Sequence, residues 1–175
     1  METGPKRTVL IVDDEESVRN ALRRLVEGEG HSVLEASEAA EALEILRAQP
    51  VHLIMSDNMM PGMSGVDLLK LVRVRHPHVL RIILTGDPDP EIPVRSINES
   101  EVYRFVRKPW NSWDLRTILH FAFEVIRLQE ENEKLILLGL RQRSIRNKMA
   151  TADDPVGLEA ELQLLAEAEA ELLGS

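Results

Sequence analysis

The sequence contains no cysteine, only 3% aromatic residues and no long hydrophobic run. Without cysteine, the chain has no disulfide scaffold, no thiolate metal site and no cysteine nucleophile. No apolar run approaches the roughly 18 residues that a membrane-spanning helix needs, and the N-terminus lacks the layout of a signal peptide. We therefore expect a cytoplasmic protein without membrane contact, whose 43% hydrophobic content is enough to build a core.

The negative charge of the chain is concentrated near its C-terminus. The 175 residues carry a formal charge of −9, from 30 acidic and 21 basic residues. Residues 149–175 contain seven of the acids and no base, so the rest of the chain is nearly balanced, with 23 acids and 21 bases. This distribution indicates one domain followed by an acidic appendage.

Five short hydrophobic segments alternate with amphipathic ones in the first part of the chain. Residues 8–12 form an unbroken aliphatic run, which is typical of a strand buried on both faces of a parallel sheet. Further segments follow at 31–36, 51–56, 81–84 and 102–106. The pattern predicts an α/β fold with a doubly wound, five-stranded parallel sheet in the order 2-1-3-4-5. Ser37 is the predicted N-cap of the second helix, and prolines allow only a short helix over 93–99.

Polar residues stand where the predicted strands end. Asp13 and Asp14 end the first strand, Asp57 the third and Thr85 the fourth, and the fifth runs into Lys108. The carboxyl ends of parallel strands share one edge of the sheet, where ligands bind. Converging carboxylates need a cation, and an all-oxygen cluster suits Mg²⁺. With a lysine and a hydroxyl beside them, these residues fit phosphoryl transfer onto an aspartate nucleophile.

Four segments, in order, resemble the receiver domain of two-component response regulators. They are LIVDDE (10–15), SDNMMPGMSG (56–65), LTG (84–86) and RKPW (107–110). The resemblance covers about residues 6–128, and the Lys-Pro-Trp motif is similar to that of a subgroup found ahead of output domains. It implies a flavodoxin-like fold and a response regulator that accepts a phosphoryl group from a sensor histidine kinase and then changes its dimer or partner contacts.

The resemblance also assigns roles around the metal. Asp57 would be the phosphoacceptor, and Asp14, Asp57 and the backbone carbonyl of Met59 would bind Mg²⁺. Asp13 would act mainly through a bound water. The chain would then not be an enzyme for an external substrate, since its chemistry is Mg²⁺-dependent self-phosphorylation and autodephosphorylation.

Three further residues would respond to the phosphoryl group. By the resemblance, Thr85 and Lys108 grip the phosphoryl oxygens, and Thr85 and Phe105 form the switch. Asn58 is a small departure, because relatives have a variable or apolar residue at this position. None of this alters the assignment of Asp57.

Other interpretations are kept beside this one. A haloacid-dehalogenase-like phosphatase also uses an aspartate and Mg²⁺, but it wants a second acid where this chain has Met59. A structural adaptor acting through its helical extension is another alternative, and the N-terminal part of a longer regulator with a missing effector domain is a third. The five histidines at 31, 52, 76, 78 and 120 lack metal-ligand spacing, so we predict no zinc.

The helical pattern continues beyond the expected end of the receiver. Residues recur in steps of three and four at Ile118, Phe121, Val125, Leu128, Asn132 and Leu135. This a/d repeat predicts the seam of a coiled-coil homodimer, with Asn132 fixing the register of a parallel pair. After one extra three-residue step the repeat resumes at Leu138, Gln142, Ile145 and Met149. A long helix folded back on the receiver is the alternative.

These patterns divide the chain into four segments. We expect a receiver at 1–128, a coiled-coil stalk at 129–150 that continues its last helix, a linker at 151–157 and an acidic amphipathic helix at 158–175. The acidic helix should fold back as a hairpin on the stalk, in cis or across a dimer. Four bases lie between 141 and 148 without aromatic interleaving, so we expect them to form a solvated or partner-facing coil surface rather than a nucleic-acid site.

Overall fold

The computed structural model describes residues 6–86, 102–149 and 156–174. The elements are β1 (Thr8–Val12), α1 (Glu16–Gly28), β2 (Ser32–Ala36), α2 (Ala39–Ala48), β3 (Leu53–Asp57), α3 (Gly65–Arg75), β4 (Leu80–Thr85), β5 (Arg104–Arg107), α4 (Ser112–Met149) and α5 (Val156–Gly174). The helix predicted over 93–99 lies outside the described residues. The chain divides into two compact units, Met1–Glu124 and Val125–Ser175.

The first unit contains one parallel sheet with the strand order β2-β1-β3-β4-β5. The predicted fold class and order are therefore confirmed. The unbroken run at the centre of β1 is buried because both faces of the sheet are covered: Val9, Leu10, Ile11 and Val12 are all fully buried. On one face, β1, β3 and β4 pack against buried residues of α2 and α3 in a single hydrophobic cluster. Because all five strands are paired in parallel, their carboxyl ends lie at one edge of the sheet.

The start of α2 differs from the prediction. Ser37 was expected to be the N-cap, but α2 begins at Ala39 and the capping position is Glu38, whose side chain makes no cap. The N–H and hydroxyl of Ser37 instead donate to Oε2 of Glu41, at 2.7 and 3.0 Å. The prediction was wrong because α2 begins at Ala39, so Ser37 lies one residue before the capping position and its side chain bonds to the Glu41 carboxylate.

Gly65 sets the distance between the end of β3 and the start of α3. Its N–H donates to the carbonyl of Asn58 at 3.1 Å. A Cβ at this position would lie 2.0 Å from the backbone oxygen of Asp57, far inside van der Waals contact. Only glycine fits there without a shift of the backbone. The side chain of Ser64 caps the same helix by accepting from the N–H of Asp67.

The second unit is built from the distal part of α4 and from α5. Nη2 of Arg141 donates to Oε1 of Glu161 at 2.7 Å, and Nε2 of Gln142 donates to Oε2 of Glu169 at 2.9 Å. Within this chain the acidic helix therefore lies against the stalk, as predicted. The helix begins at Val156, two residues before the predicted start and directly after Pro155, a residue that favours helix starts. None of the helices in the described residues is long and apolar enough to cross a membrane.

Two histidines hold the N-terminal end of β1. Nδ1 of His31 accepts the N–H of Arg7 at 3.3 Å, and Nδ1 of His52 accepts the N–H of Thr8 at 3.0 Å. The ring of His31 also packs against Phe123 of α4, with the ring centroids 3.8 Å apart. Both hydrogen bonds need an Nδ1 without a proton. The first strand is therefore secured by neutral imidazoles.

This arrangement should make the protein less stable in mild acid. Burial lowers the pKa of His31 below its ordinary value of 6.5, and Arg7 and His52 lower it further against the opposing charge of Glu29. The folded chain then binds fewer protons than the unfolded chain, so the free energy of unfolding should decrease as the pH falls below about 6.5. Urea denaturation at pH 7.5 and 5.5 should show a smaller decrease for His31→Asn, which keeps an acceptor but does not titrate. His78→Asn, at an exposed histidine, should behave like the wild type. An equal decrease in the free energy of unfolding between the two pH values for all three proteins would contradict the prediction.

Candidate functional site

Three strand ends bring two acids and a lysine together. Asp13 follows β1, Asp57 ends β3 and Lys108 follows β5, so all three lie at the carboxyl edge of the sheet. Nζ of Lys108 is 2.7 Å from Oδ2 of Asp13 and 2.7 Å from Oδ1 of Asp57. The two carboxylates are 0% and 4% exposed as whole residues. Two buried carboxylates would repel each other, and the ammonium of Lys108 that they share offsets this repulsion.

Each of these carboxylates is also oriented by a local hydrogen bond. Oδ1 of Asp13 accepts the N–H of Glu15 at 2.9 Å, and Oδ2 of Asp57 accepts the N–H of Met59 at 2.8 Å. In both cases the donor lies two residues further along the chain, which is the geometry of an aspartate that organises its own turn. These contacts were not predicted from the sequence, although an aspartate placed at a strand end is their signal.

Lys108 is held in its charged form. Burial acts to lower the pKa of Lys108, but the hydrogen bonds and charges of Asp13 and Asp57 raise it by more, and the net pKa is raised above 10.5. A raised lysine pKa means that the stabilising contribution is fully present below the ordinary lysine value and is lost only at higher pH. Lys108 therefore keeps its positive charge throughout the neutral range.

The predicted switch residues lie at the same edge and in the core. Thr85 is the last residue of β4, it is half-buried, and its carbonyl accepts the N–H of Lys108 at 2.8 Å. The β3–β4 register pairs Asp57 with Leu84, which puts Thr85 one step beyond the acid. Phe105 of β5 is half-buried against the hydrophobic cluster under α2 and α3.

The acids of this edge fit a hard divalent cation. Asp14 is exposed, and within the described ranges no three acidic or histidine side chains are grouped so as to hold a metal by themselves. Mg²⁺ does not need such a group, because it binds through one or two carboxylates and keeps several waters. Asp13, Asp14 and Asp57 set three negative charges against the one positive charge of Lys108, and all the donors are oxygens. The site would therefore accept two further positive charges.

Two neighbours of the acids were not expected from the sequence. Nη1 of Arg19 donates to the backbone carbonyl of Asp13 at 2.6 Å. Asn58, next to Asp57, is buried. A basic residue on the first helix and a polar residue at a strand end are common, so neither pattern alone indicates such a contact.

Comparison with known proteins identifies the family. The family model described as the response regulator receiver domain matches residues 9–120. The chain belongs to this family. The hydrogenase transcriptional regulatory protein HoxA of Cupriavidus necator is 39% identical in an alignment of 158 positions that covers 87% of this chain and 32% of that protein. The DNA-binding transcriptional regulator NtrC of Escherichia coli is 30% identical over 131 residues, 75% of this chain and 28% of that protein. The receiver chain thus spans about a third of the length of these curated relatives.

Solved structures of receiver domains have the same fold. The signal receiver domain of an HD domain-containing protein from Pseudomonas fluorescens Pf-5 is 33% identical, with a TM-score of 0.69 over 72% of this chain and 93% of that one. A CheY-like receiver domain protein from Methanospirillum hungatei JF-1 is 29% identical, with a TM-score of 0.65 over 73% and 99% of the two chains. The chain therefore contains a receiver domain of the kind found in response regulators, and receiver domains generally use Mg²⁺.

Removing Lys108 from this receiver should destabilise it through charge repulsion. Lys108→Met leaves Asp13 and Asp57 buried without their shared cation, and we expect a loss of about 3 kcal/mol in the free energy of unfolding. Urea denaturation at pH 7 in EDTA measures the loss, and added Mg²⁺ should recover part of it. Lys70→Met, which removes the lysine of an exposed pair with Asp67, should change stability by less than about 0.5 kcal/mol.

A second variant separates repulsion from lost packing. Asp13→Asn combined with Lys108→Met removes one negative charge while residue 108 is the same as in the single variant. The double variant should be more stable than Lys108→Met alone, because only one uncompensated charge remains. A double variant less stable than the single one would show that repulsion is not the cause.

Proposed function

We propose that Asp57 accepts the phosphoryl group from the phosphohistidine of a sensor kinase. The observation that carries this proposal is the position of Asp57 at a strand end, with Oδ1 2.7 Å from the ammonium of Lys108 and Oδ2 fixed by the N–H of Met59. The carboxylate is thereby held in one orientation, and a positive charge stands where an anionic group would arrive.

The transfer exchanges one bond to phosphorus for another. An oxygen of Asp57 attacks phosphorus, the new P–O bond forms, and the P–N bond to the kinase imidazole breaks with its electron pair leaving on nitrogen. Lys108 can pair with an equatorial oxygen of the phosphoryl group, and the hydroxyl of Thr85 can donate to another. Bound near Asp13, Asp14, Asp57 and the Met59 carbonyl, Mg²⁺ would supply charge neutralisation for the same oxygens.

Phosphorylation would act on the rest of the chain through two residues. The ammonium of Lys108 would be shared with a new dianion, and the hydroxyl of Thr85 would turn toward the phosphoryl group. Phe105 stands two residues before Arg107, which pairs with Thr85 in the β4–β5 register. A displacement of Thr85 would therefore act directly on β5, the strand that carries the switch aromatic Phe105. No external substrate is turned over; hydrolysis of the phosphoaspartate resets the protein.

A small phosphodonor tests the acceptor directly. With acetyl phosphate and Mg²⁺, the wild type should gain one phosphoryl group per chain, and Asp57→Asn should gain none because it has no carboxylate to attack phosphorus. Intact-mass spectrometry measures the incorporation. Asp67→Asn, at an exposed aspartate of α3, is the matched control and should be phosphorylated like the wild type. Incorporation into Asp57→Asn, or none into the wild type, would refute the assignment and favour a structural adaptor.

We also propose that the chain forms a homodimer along α4. Its seam positions include two large apolar side chains that are mostly exposed, Phe121 at 57% and Leu128 at 55%, and the exposed Asn132. Ile118, Val125 and Leu135 at the other seam positions are half-buried. An apolar stripe of this kind on one helix is the surface that a second copy covers in a coiled coil.

Charge explains why this seam should end near Leu135. The repeat that resumes at Leu138 puts Arg141 at a g position and Arg146 at the following e position, which face each other in a parallel pair. Two copies would therefore repel along this segment. Within the second unit, Arg141 is instead bonded to Glu161, and Ile145 at the next d position is buried. Residues 138–149 thus have their partner in α5.

Sedimentation tests the dimer and its surface. The wild type should sediment as a dimer at about 50 µM, and Leu128→Glu should weaken the association by at least tenfold because it places a charge in the seam. Leu137→Glu is the control, since Leu137 lies on the same helix, is 65% exposed and stands outside the seam. A monomeric wild type, or equal effects of the two variants, would contradict the proposal.

The remaining partners follow from the same function. We infer that the chain works in the cytoplasm with a sensor histidine kinase, and that phosphorylation changes its dimer contacts or its contacts with a downstream protein. NtrC of Escherichia coli is named a DNA-binding regulator. For this chain, the absence of direct nucleic-acid binding stays a prediction.

A further inference from the structure

Asn58 is a buried polar residue at the phosphoryl-transfer site to which the proposed mechanism gives no role. It follows Asp57 directly and is 5% exposed. Its Oδ1 is the single buried side-chain nitrogen or oxygen without a hydrogen-bond partner in the part of the chain that the structure describes. An unsatisfied buried acceptor destabilises a fold, whereas an apolar side chain of the same size does not. Stability therefore does not account for an amide here.

The backbone holds Asn58 beside Thr85. Its N–H donates to the carbonyl of Leu84 at 2.9 Å, and its carbonyl accepts the N–H of Gly65 at 3.1 Å. The register ends with Asp57 opposite Leu84, and the bond from the Asn58 N–H to the Leu84 carbonyl continues the parallel pattern, so Asn58 lies opposite Thr85 one residue past the end of β3. Paired residues of adjacent strands point to the same face and are separated by about 4.8 Å. This spacing is one that two facing side chains can bridge with a hydrogen bond.

We propose that Asn58 is a positioning residue for phosphoryl transfer and acts by orienting the hydroxyl of Thr85. The proposal rests on the role of Asp57 as the phosphoacceptor. A hydroxyl has one proton, and an amide offers both donors and an acceptor. When the NH₂ group of Asn58 donates to the Thr85 oxygen, the hydroxyl proton is directed to a phosphoryl oxygen on Asp57. When the amide oxygen takes that proton, the phosphoryl group loses this donor.

The neutral charge of the amide matters for this role. The edge already has three carboxylates against one lysine, and a fourth acid would repel the phosphoryl group. A leucine would supply neither a donor nor an acceptor. Asparagine combines a compact side chain with both hydrogen-bonding functions, and a hydrogen bond from its NH₂ group strengthens the one that the hydroxyl donates.

A double-mutant cycle with Thr85 tests the proposal. Initial rates of phosphorylation by acetyl phosphate with Mg²⁺ are measured for the wild type, Asn58→Leu, Thr85→Ala and the double variant. Asn58→Leu should lower the maximal rate about tenfold and leave the half-saturating donor concentration unchanged, because the hydroxyl is present but misaligned. In the Thr85→Ala background, the same substitution should change the rate by less than about twofold, since no hydroxyl is left to orient.

The outcomes distinguish the role proposed for Asn58 from the role proposed for Asp57, on which it depends. An unchanged rate for Asn58→Leu, or an equal loss with and without Thr85, would overturn the role of Asn58 while Asp57 stays the acceptor. No phosphorylation of the wild type would overturn both. The cycle is also run with Asn58→Ala, so that a folding failure of the leucine variant leaves a complete cycle. Thermal melting of each variant should show no loss relative to the wild type, which excludes unfolding as the cause of a lower rate.

Discussion

One ammonium group connects the strand ends of this receiver. Lys108 follows β5, yet its contacts at 2.7 Å reach the ends of β1 and β3, across the position of β4. The backbone hydrogen bonds of a sheet join only neighbouring strands, so the lysine adds a connection that the sheet itself does not have. It also makes possible the burial of two carboxylates side by side. The same ammonium group thus links the strand ends at this edge and offsets part of the negative charge of the site.

The strands, their order and the edge that carries the site could all be predicted from the sequence. An unbroken run of β-branched and aliphatic residues such as 8–12 is typical of a strand at the centre of a parallel sheet. The residues that follow such strands lie together at the carboxyl edge of the sheet. The choice between Asp13 and Asp14 as the buried acid could not be predicted in this way. Asp13 and Asp14 are the same residue type, and the side chains of adjacent residues past a strand end point in different directions. The sequence therefore does not show which of the two is buried.

Contacts between segments that lie far apart in the chain could not be predicted either, because local sequence patterns do not show which distant segment a residue contacts. The bonds from His31 and His52 to the start of β1 join residues 24 and 44 positions apart, and a lone histidine before a strand has many possible roles. Ser37 shows the limit at short range, since a glutamate four residues later decided which group the serine binds. Periodicity has its own limit: it shows that Leu138–Met149 has an apolar face, but not that α5 covers it. The opposite charges of the two segments were the better signal, because α5 has five glutamates and no base.

The close approach at Gly65 has a consequence for how a chemical event at Asp57 is transmitted. No side chain separates the backbone oxygen of Asp57 from the first residue of α3, and Gly65 is bonded to the neighbouring Asn58. Side chains usually absorb small displacements by changing rotamer, but here backbone meets backbone. The end of β3 and the start of α3 are therefore in direct backbone contact. A displacement of the Asp57 peptide would press directly on the first turn of α3.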